Sequence, residues 1–424
     1  MEDWRVSNKT VRVFWSKLMR VAMIVNSFPS ISERFLINTV TALLDRGIDI
    51  DVYAAVPSSE AFTHDIYAQY RLDERCFQLN IQLSFMRRNK AMCAILAKSL
   101  FSHPLKTLRA FSLYRYRRAA QNLKNIFFLD AFIGKKYDII HCQFGQNGLI
   151  GSYLKDCGFC DKLVVTFHGS DITVFPKKAG KNVYRYMFSR ADAITAGTSF
   201  TAGFIKAHGC PPDKVHILPV GIIPENYPVV AYESRDEFLL LSVGRLEEVK
   251  GFCYAIKAFV RIAKEYPRAV YIIAGAGSWE KELRSIATAE GLAERVLFVG
   301  EKKDTEIAEL YQKASVFLAP SIRASNGSEE GQGLVVQEAQ ASGLPVIGTL
   351  TGGIPDGIKD GSTGFLVHEK DPEALAERIR YLFDNPDVRK EIGQRSREHA
   401  IKNYSMANLT EKLVSLYREN TIQD

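Results

Sequence analysis

The feature that most constrains this fold is an alternation of short apolar runs with longer amphipathic stretches, which starts twice along the chain. The first series includes RVAMIVNSF, IDVYAAV, YDIIHCQF and KLVVTFHG. The second series begins with EFLLLSVGRL and continues through AVYIIAGAG, RVLFVG, SVFLAPS, LPVIGTL and GFLV. Strands rich in Val and Ile that are separated by helices are typical of parallel sheets with βαβ crossovers. The alternation therefore predicts an α/β protein with two doubly wound parallel sheets.

Chain length and a proline-rich passage predict where the two series divide. A chain of 424 residues is long for one hydrophobic core, and two domains of about 200 residues are the first expectation. The passage HILPVGIIPENYPVV is the candidate linker. Two such domains leave a cleft between the carboxyl ends of their sheets, where folds of this kind bind ligands. The predicted divisions are an N-terminal extension (1–18), a first Rossmann-like domain (19–220), a second Rossmann-like domain (221–404) and a C-terminal helix that packs back toward the first domain (405–424).

Positive charge is concentrated in one segment of the chain. The net charge is +7, yet residues 75–129 contain eleven Lys or Arg and no Asp or Glu. A cluster of one sign indicates an anionic partner, and membrane lipid, nucleic acid and a charged substrate all fit. Because the segment mixes its cations with Phe, Leu and Tyr, it favours an anionic membrane surface, with a solvated helical face as the alternative. Residues 1–18 fit either a membrane contact or a poorly ordered tail.

Cysteine usage and hydropathy indicate the compartment. Seven scattered cysteines do not form a disulfide framework in a chain of this size, so a reducing cytoplasm fits best. Cys157 and Cys160 form one CxxC pair, but no second pair completes a zinc site. No apolar run reaches the about 20 residues of a membrane span. We expect a cytoplasmic protein that is peripheral on the inner face of the plasma membrane.

The turn GRLEEVKG, directly after the strand-like run LLLSV, carries the first candidate site residues. Gly244 lets the chain turn sharply, and Arg245 and Lys250 lie on the turn near the expected cleft. Two cations at a strand tip suit a diphosphate, since Arg grips it with a planar fork and Lys supplies a point charge. The turn is not a Walker A loop. Taken alone, the turn is more often explained by exposed surface cations.

Two glycine-containing stretches add further candidates. Gly275 and Gly277 lie in IIAGAGSWEKEL, which resembles half of a dinucleotide fingerprint, although a tight strand-to-helix turn needs Gly in any case. The stretch EEGQGLVVQEAQASGLP places Glu330 and Glu338 on either side of a glycine-rich helix entry. A helix N-terminus favours phosphate, and a carboxylate can accept two hydrogen bonds from a diol. The pattern suits an activated sugar, and a solvated helix with surface acids is the alternative.

Together these stretches resemble the retaining glycosyltransferases of family 4, which have the two-domain GT-B fold. The matching features are GRLEEVKG, IIAGAGSWEKEL, VLFVG, the Glu-x7-Glu stretch, TGGIPDGIKDGSTGFLV and, in the first half, TFHGSD. The similarity extends from Met19 to about Tyr404. FPSISERFLINTV has a Ser-x-x-Glu pattern and looks like the branch of the family that builds exopolysaccharide repeats. Two departures from the family pattern are Gln143, where relatives often have a second His, and Asp356, where Glu is usual.

The resemblance implies a role for each candidate residue. The implied catalytic set is His168, Glu330, Arg245 and Lys250. The implied donor-binding set is Gly244, Arg245, Lys250, Gly275, Gly277, Glu330, Gly331, Gly333, Leu334 and Glu338. Arg245 and Lys250 would bind the donor diphosphate, Glu330 the sugar and Glu338 the ribose, and His168 would reach the sugar from the first domain. The implied acceptor side consists of Ser30, Glu33, His141 and Asp171.

The implied activity is hexosyl transfer from a nucleoside-diphosphate sugar, with a UDP-sugar favoured over a GDP-sugar, to a lipid-linked oligosaccharide. We expect no cofactor and no metal, because Arg245 and Lys250 already neutralise phosphate. The Asp49-Ile50-Asp51 triplet spells a metal-binding DxD motif, but it opens an early strand, where turn acids are common. The alternatives are a sugar-nucleotide epimerase on the same fold and a nucleic-acid-binding protein that uses residues 75–129. The lack of a recognisable nucleic-acid motif disfavours the latter.

Overall fold

A computed structural model of the protein describes residues 19–30, 34–58, 65–79, 81, 85–230 and 238–419. The N-terminal extension and Glu33, which was expected on the acceptor side, lie outside the described residues. Two parallel sheets of seven and six strands form the framework, so the predicted fold class is confirmed. Among the residues described, no helix is both long and apolar enough to cross a membrane.

The first domain contains seven strands and twelve helices in the described residues. They are β1 (Arg20–Ser27), α1 (Arg34–Leu44), β2 (Asp49–Val56), α2 (Asp65–Gln69), α3 (Leu72–Arg75), β3 (Cys76–Gln78), α4 (Phe85–Ser102), α5 (Pro104–Arg109), α6 (Leu113–Gln121), α7 (Lys124–Phe132), β4 (Tyr137–Gln143), α8 (Gly145–Asp156), β5 (Cys160–Phe167), α9 (Ser170–Thr173), α10 (Phe175–Ala179), α11 (Arg185–Arg190), β6 (Ala193–Ala196), α12 (Ser199–Ala207) and β7 (Val215–Ile217). Helix α6 is kinked at Arg117, whose backbone is not helical.

In the described residues, the second domain contains six strands, and the last helix of the chain returns to the first domain. The elements are β8 (Leu239–Val243), α13 (Phe252–Ile262), β9 (Val270–Ala274), α14 (Glu280–Ala289), β10 (Val296–Gly300), α15 (Asp304–Lys313), β11 (Val316–Ala319), α16 (Leu334–Ala341), β12 (Val346–Thr349), α17 (Ile354–Gly357), β13 (Gly364–Val367), α18 (Pro372–Asp384), α19 (Pro386–Tyr404) and α20 (Met406–Glu419). A short 3₁₀ turn, Glu248–Lys250, precedes α13.

Each sheet changes its direction of winding at one point. The strand orders are β3-β2-β1-β4-β5-β6-β7 and β10-β9-β8-β11-β12-β13. The order therefore reverses between β1 and β4 in the first sheet and between β8 and β11 in the second. Crevices at the carboxyl ends of such strand pairs are where open α/β sheets bind ligands. The fold thus brings the loops after β8 and β11 side by side.

Alternating side chains of each strand enter separate cores on the two faces of the sheet. On β1, Ile24 packs into one core and Val25 into the other. The same alternation holds for Leu240 and Leu241 on β8. This pattern is expected of strands that are buried on both faces, because successive side chains point to opposite sides.

The chain passes between the domains twice, and the two passages are paired. The backbone N–H of Ile222 donates to the carbonyl of Tyr404 at 2.8 Å, and the N–H of Met406 donates to the carbonyl of Ile222 at 2.7 Å. Beyond this pairing, α20 packs against α1, and Leu413 and Tyr417 are buried in a core of the first domain. The last helix therefore belongs to the first domain by its packing.

Candidate active site

Lys250 and Glu330 meet at the switch point of the second sheet, which is the place between β8 and β11 where the strand order reverses. Lys250 ends the 3₁₀ turn after β8, and Glu330 lies in the loop between β11 and α16. The Nζ of Lys250 donates to Oε2 of Glu330, and the two side chains are only 16% and 18% exposed. Burial raises the pKa of Glu330, but the charges of Lys250 and Arg245 and the N–H of Gly331 outweigh it, so the pKa lies below its usual value. The site therefore holds an ionised carboxylate beside an ammonium group, with the exposed Arg245 nearby.

Gly275 and Gly277 allow the turn after β9 to contact the turn after β8. A Cβ atom on Gly275 would lie 2.0 Å from the carbonyl oxygen of Gly244, and one on Gly277 would lie 2.4 Å from that of Leu246. The N–H of Leu246 donates to the carbonyl of Ala276 at 2.9 Å. These contacts hold the turn that carries Arg245 and Lys250. The glycines therefore have a packing role that is independent of any ligand.

The glycine-rich loop before α16 contacts the first domain. Gly333 is the N-cap of α16 and has a left-handed backbone with φ of 74°, which Gly adopts without steric cost. A Cβ atom on Gly331 would lie 2.6 Å from the carbonyl oxygen of His168. Leu334, the first residue of α16, is half-buried against the small core around Ile222. The loop that carries Glu330 is thus positioned by both domains.

Glu338 is bound by phenol groups. The hydroxyl of Tyr311 donates to Oε2 of Glu338 at 3.0 Å, and Tyr227 forms a second hydrogen bond. Burial raises the pKa of Glu338, and the two tyrosine hydrogen bonds lower it in part. The carboxylate that was expected to accept a diol accepts two tyrosine hydroxyls in this structure.

His168 lies between two aromatic rings at the end of β5. Its ring centroid is 5.0 Å from that of Phe35 and 4.6 Å from that of Phe144. Its Nε2 is 2.9 Å from Oε1 of Gln143. Burial lowers the pKa of His168 to about 4, so the ring is neutral near pH 7. Its main-chain carbonyl lies against Gly331, so His168 faces the loop of Glu330 across the domain boundary.

His141 is buried at β4 and has a partner at each ring nitrogen. Nδ1 is 2.6 Å from the hydroxyl of Tyr417 on α20, and Nε2 is 2.7 Å from Oγ1 of Thr166. Burial, with a smaller effect from His168, lowers its pKa to about 3. Gln143 joins the two histidines, because its Nε2 is 3.4 Å from Nε2 of His141. His141 lines a cavity of about 50 Å³ between the first domain and α20.

Asp171 binds main-chain groups of its own neighbourhood. Its carboxylate accepts hydrogen bonds from the N–H groups of Gly145 at 2.9 Å, His168 at 3.1 Å and Gly169 at 2.9 Å. Burial raises its pKa to about 6, and these three hydrogen bonds limit the rise. With three donors in place, the carboxylate holds the loop at His168. A contact between Asp171 and an acceptor stays a prediction.

The remaining predicted residues have separate positions. Ser30 is half-buried after Pro29, whose carbonyl accepts a hydrogen bond from Ser58 at 2.6 Å.

The carboxylates of the DxD triplet are occupied by protein side chains. Asp49 pairs with Arg75 at 2.7 Å, and Asp51 accepts a hydrogen bond from the hydroxyl of Tyr137 at 2.5 Å. The triplet therefore stabilises the start of β2.

Sequence reasoning missed the side chains that fasten the two domains to each other. Oγ1 of Thr198 donates to the carbonyl of Gly331 at 2.9 Å, and Oγ of Ser199 donates to Oδ1 of Asp356 at 2.7 Å. The amide of Gln332 pairs with both main-chain groups of Val220 at 2.8 and 3.0 Å. Gln332 and Asp356 lie within the family motifs, so their motif membership was the available signal. Nothing in the local sequence at Thr198 and Ser199 indicates a partner more than a hundred residues away.

Comparisons with known proteins match both halves of the chain. The family described as Glycosyltransferase Family 4 matches residues 32–226, and that described as Glycosyl transferases group 1 matches residues 227–399. The amylovoran biosynthesis glycosyltransferase AmsK of Erwinia amylovora is 30% identical over 368 residues, which cover 84% of this chain and 89% of AmsK. The chain belongs to glycosyltransferase family 4. The predicted family membership is thus confirmed.

Other family 4 relatives and solved structures agree with this assignment. A protein of Escherichia coli K12 named as a colanic acid biosynthesis glycosyltransferase, WcaL, is 29% identical, with 94% of this chain and 99% of WcaL covered. HepE of Anabaena, solved with UDP and glucose, superposes with a TM-score of 0.69 at 18% identity over 95% of this chain and 100% of HepE. Sucrose-phosphate synthase of Thermosynechococcus elongatus gives a TM-score of 0.70 at 19% identity over 95% and 98%. Both structures share the GT-B fold with this family 4 glycosyltransferase.

Proposed function

We propose that this glycosyltransferase moves a hexosyl group, with retention of anomeric configuration, from a nucleoside-diphosphate sugar to a hydroxyl of a growing, lipid-linked oligosaccharide. The observation that carries the proposal is the pair of Lys250 and Glu330 at the switch point of the second sheet. The pair offers a cation for phosphate and an ionised carboxylate for sugar hydroxyls in one enclosed position. The relatives named for amylovoran and colanic acid biosynthesis support a role in exopolysaccharide or cell-envelope polysaccharide biosynthesis.

Negative charge builds on the β-phosphate as the nucleoside diphosphate leaves, while the sugar becomes oxocarbenium-like. Lys250 and Arg245 stabilise that charge, and preorganised cations in an enclosed site are effective because little reorganisation accompanies the reaction. Lys250 exchanges its contact with Glu330 for the diphosphate, and the released carboxylate accepts hydrogen bonds from the sugar. The neutral His168 approaches the sugar from the first domain. The acceptor hydroxyl attacks from the face that the diphosphate leaves and passes its proton to the departing phosphate oxygen.

UDP is the favoured carrier in this proposal because solved structural relatives were crystallised with UDP and with UDP-glucose. The cations beside the diphosphate site make a divalent metal unnecessary for charge neutralisation, so the proposed reaction is metal-independent.

A turnover assay tests the proposal. The full chain is incubated with UDP-, GDP- and ADP-sugars in the presence of EDTA, and release of the nucleoside diphosphate is measured. We expect one donor class to be turned over, with a loss of about 10²-fold or more in K250A and E330A, since each removes a charge at the reacting centre. The matched control is K257A, which removes an exposed lysine on α13.

The product distinguishes the proposal from its alternative. NMR of the sugar released or transferred should give the anomeric configuration of the donor. An inverted product would contradict retention. Conversion of the donor to an epimeric sugar nucleotide, without release of nucleoside diphosphate, would instead indicate an epimerase on this fold.

A further inference from the structure

The segment from residue 100 to residue 114 exposes apolar side chains in a dense group. Seven large apolar side chains in this segment are exposed, against six in the rest of the described chain. Phe101 is 94% exposed, Tyr114 78%, Leu105 77% and Leu108 62%. Single exposed apolar residues are ordinary, but a contiguous group of them marks an interaction site. We call residues 100–114, which include the end of α4, all of α5 and the start of α6, the apolar tip.

The orientation of α5 is opposite to that of an ordinary amphipathic surface helix. Thr107 in α5 and Ala110, directly after the helix, are buried, whereas Leu105 and Leu108 are exposed to solvent. Such a helix normally turns its leucines toward the core and its polar residues toward water. In α5 the polar Thr107 therefore faces the core, and the two leucines lie on the outer surface of the protein.

The inner side of the apolar tip is fixed to the first domain by hydrogen bonds. The hydroxyl of Tyr153 donates to the carbonyl of Lys106 at 3.1 Å, and Nδ2 of Asn125 donates to the carbonyl of Ala110 at 3.1 Å. Just beyond the tip, the buried Tyr116 donates to Oδ2 of Asp156 at 2.7 Å. Because the inner side is bonded to the domain, the leucines cannot turn inward without breaking these contacts.

The charge around the apolar tip indicates the chemistry of its partner. Residues 75–129 contain no Asp or Glu, and Lys90, Arg115 and Arg117 in this segment are exposed. Lys98 pairs with Asp130, just outside the segment, at 3.3 Å. Apolar side chains beside a cluster of exposed cations match a bilayer that has anionic headgroups above an acyl interior. An apolar protein partner would need no such excess of positive charge.

We propose that the apolar tip is a membrane-docking surface, in which Phe101, Leu105 and Leu108 enter the acyl region of an anionic phospholipid bilayer while Arg115 and Arg117 contact the headgroups. This docking would hold the active site at the membrane surface. It rests on the geometry and charge of the tip and does not depend on the identity of the donor or acceptor.

Vesicle sedimentation with the full chain tests the proposal. We expect the wild type to sediment with vesicles that contain phosphatidylglycerol and to stay in solution with vesicles of phosphatidylcholine alone. In F101S/L105S/L108S, each substitution should weaken binding by about tenfold, because a buried apolar side chain is lost. The matched control is L297S/I401S, which replaces exposed apolar residues of the second domain.

A second set of variants tests the contribution of the cations to membrane binding. R115Q/R117Q should weaken binding by about fivefold for each cation removed near the surface, and added salt should weaken the wild type further. K281Q/K402Q, which removes two exposed lysines of the second domain, should bind as the wild type does. Thermal melting and release of nucleoside diphosphate from a soluble donor should be unchanged in all four variants, which separates docking from folding and from the proposed activity.

Insertion depth gives a direct readout. Tryptophan fluorescence of F101W should be quenched by brominated acyl chains beyond the quenching of the wild type, whereas L297W should add no such quenching. The proposal is overturned if the wild type does not sediment with phosphatidylglycerol vesicles, or if the tip variant and its control bind equally well. It is also overturned if the tip variant changes only the oligomeric mass in solution, because the tip would then bind a second copy of the chain.

Discussion

Lys250 and Glu330 stabilise each other in a position where either charge alone would be costly. Removing one partner leaves an uncompensated charge in a mostly enclosed position, which destabilises the fold. The ionised state of Glu330 depends on Lys250, since burial alone raises the pKa of this carboxyl. The same pairing that satisfies both buried groups therefore supplies the two charges that the proposed donor needs.

His168 gives a prediction about pH and stability. Burial lowers its pKa to about 4 from an ordinary value of 6.5, so the unfolded chain takes up the proton first as the pH falls. The stabilisation linked to the neutral ring is complete above pH 6.5 and is lost as the pH falls toward 4, and it amounts to about 3 kcal/mol. We expect H168Q to lose less unfolding free energy than the wild type between neutral pH and about pH 4, as measured by urea titration.

The comparison with the wild type isolates this effect. Asp171 acts in the opposite direction, because burial raises its pKa to about 6 and the folded state then gains stability as the pH falls. Both proteins share Asp171 and His141, so their effects largely cancel in the difference. H368Q, at an exposed histidine, should follow the wild type. A difference between H168Q and the wild type that does not change with pH would contradict the linkage.

Among individual residues, the sequence predicts those whose chemistry follows from a local pattern. Arg245, Lys250 and Glu330 could be found because a cation after a strand and an acid before a helix are visible in the sequence. Phe144 could not be found, since its place against His168 depends on a backbone φ of 68° that no local pattern indicates. Gln143 was noticed only as a departure from the family pattern, because its position between two histidines follows from the pairing of β4 with β5 and not from its neighbours in sequence.

The glycine-rich loop before α16 acts as an element that joins the domains. Gly331 has no room for a side chain, because a Cβ atom there would lie 2.6 Å from the carbonyl oxygen of His168. We expect G331A to force these two segments apart and to lower kcat by about tenfold or more, since small displacements of catalytic groups are costly. The same turnover assay measures this effect.

Gly203 provides the matched control for that substitution. It lies in α12, and a Cβ atom there would meet nothing within 4 Å. G203A should leave kcat unchanged and should stabilise the helix slightly, by about 0.5–1 kcal/mol. If G331A were as active as G203A, the close contact between the loop and His168 would not matter for catalysis.

Elements differ in how well the sequence predicts them. The inner strands of the first sheet and all six of the second were predicted, because apolar runs bounded by glycines and polar turns identify buried parallel strands. The short edge strands β3 and β7 were not predicted, since neither contains a long apolar run. The apolar tip was noticed only as part of a basic segment, because sequence alone cannot tell which face of α5 is turned inward. Its exposed leucines follow from the hydrogen bonds of Tyr153 and Asn125, which are distant in sequence.

The whole molecule places one half of the site on each domain and connects the domains by two paired passages of chain. The proposed donor side, with Lys250 and Glu330, lies on the second domain, and the main chain of His168 lies against its loop from the first domain. Side-chain contacts such as that of Ser199 with Asp356 fasten the domains across the cleft. This arrangement allows a bound donor to be enclosed and shielded from water.

The most direct test of the central claim is calorimetric titration of the protein with the nucleoside diphosphates UDP, GDP and ADP and with the corresponding sugar nucleotides. One diphosphate should bind the wild type, and K250M should weaken it by about tenfold or more, since the cation facing the phosphates is lost. E330Q should bind that diphosphate at least as tightly as the wild type, because Lys250 is then released, but it should lose the added affinity for the sugar. K257M should bind as the wild type does. If no diphosphate binds, or if K250M binds as tightly as the wild type, the assignment of Lys250 and Glu330 to the donor site is wrong.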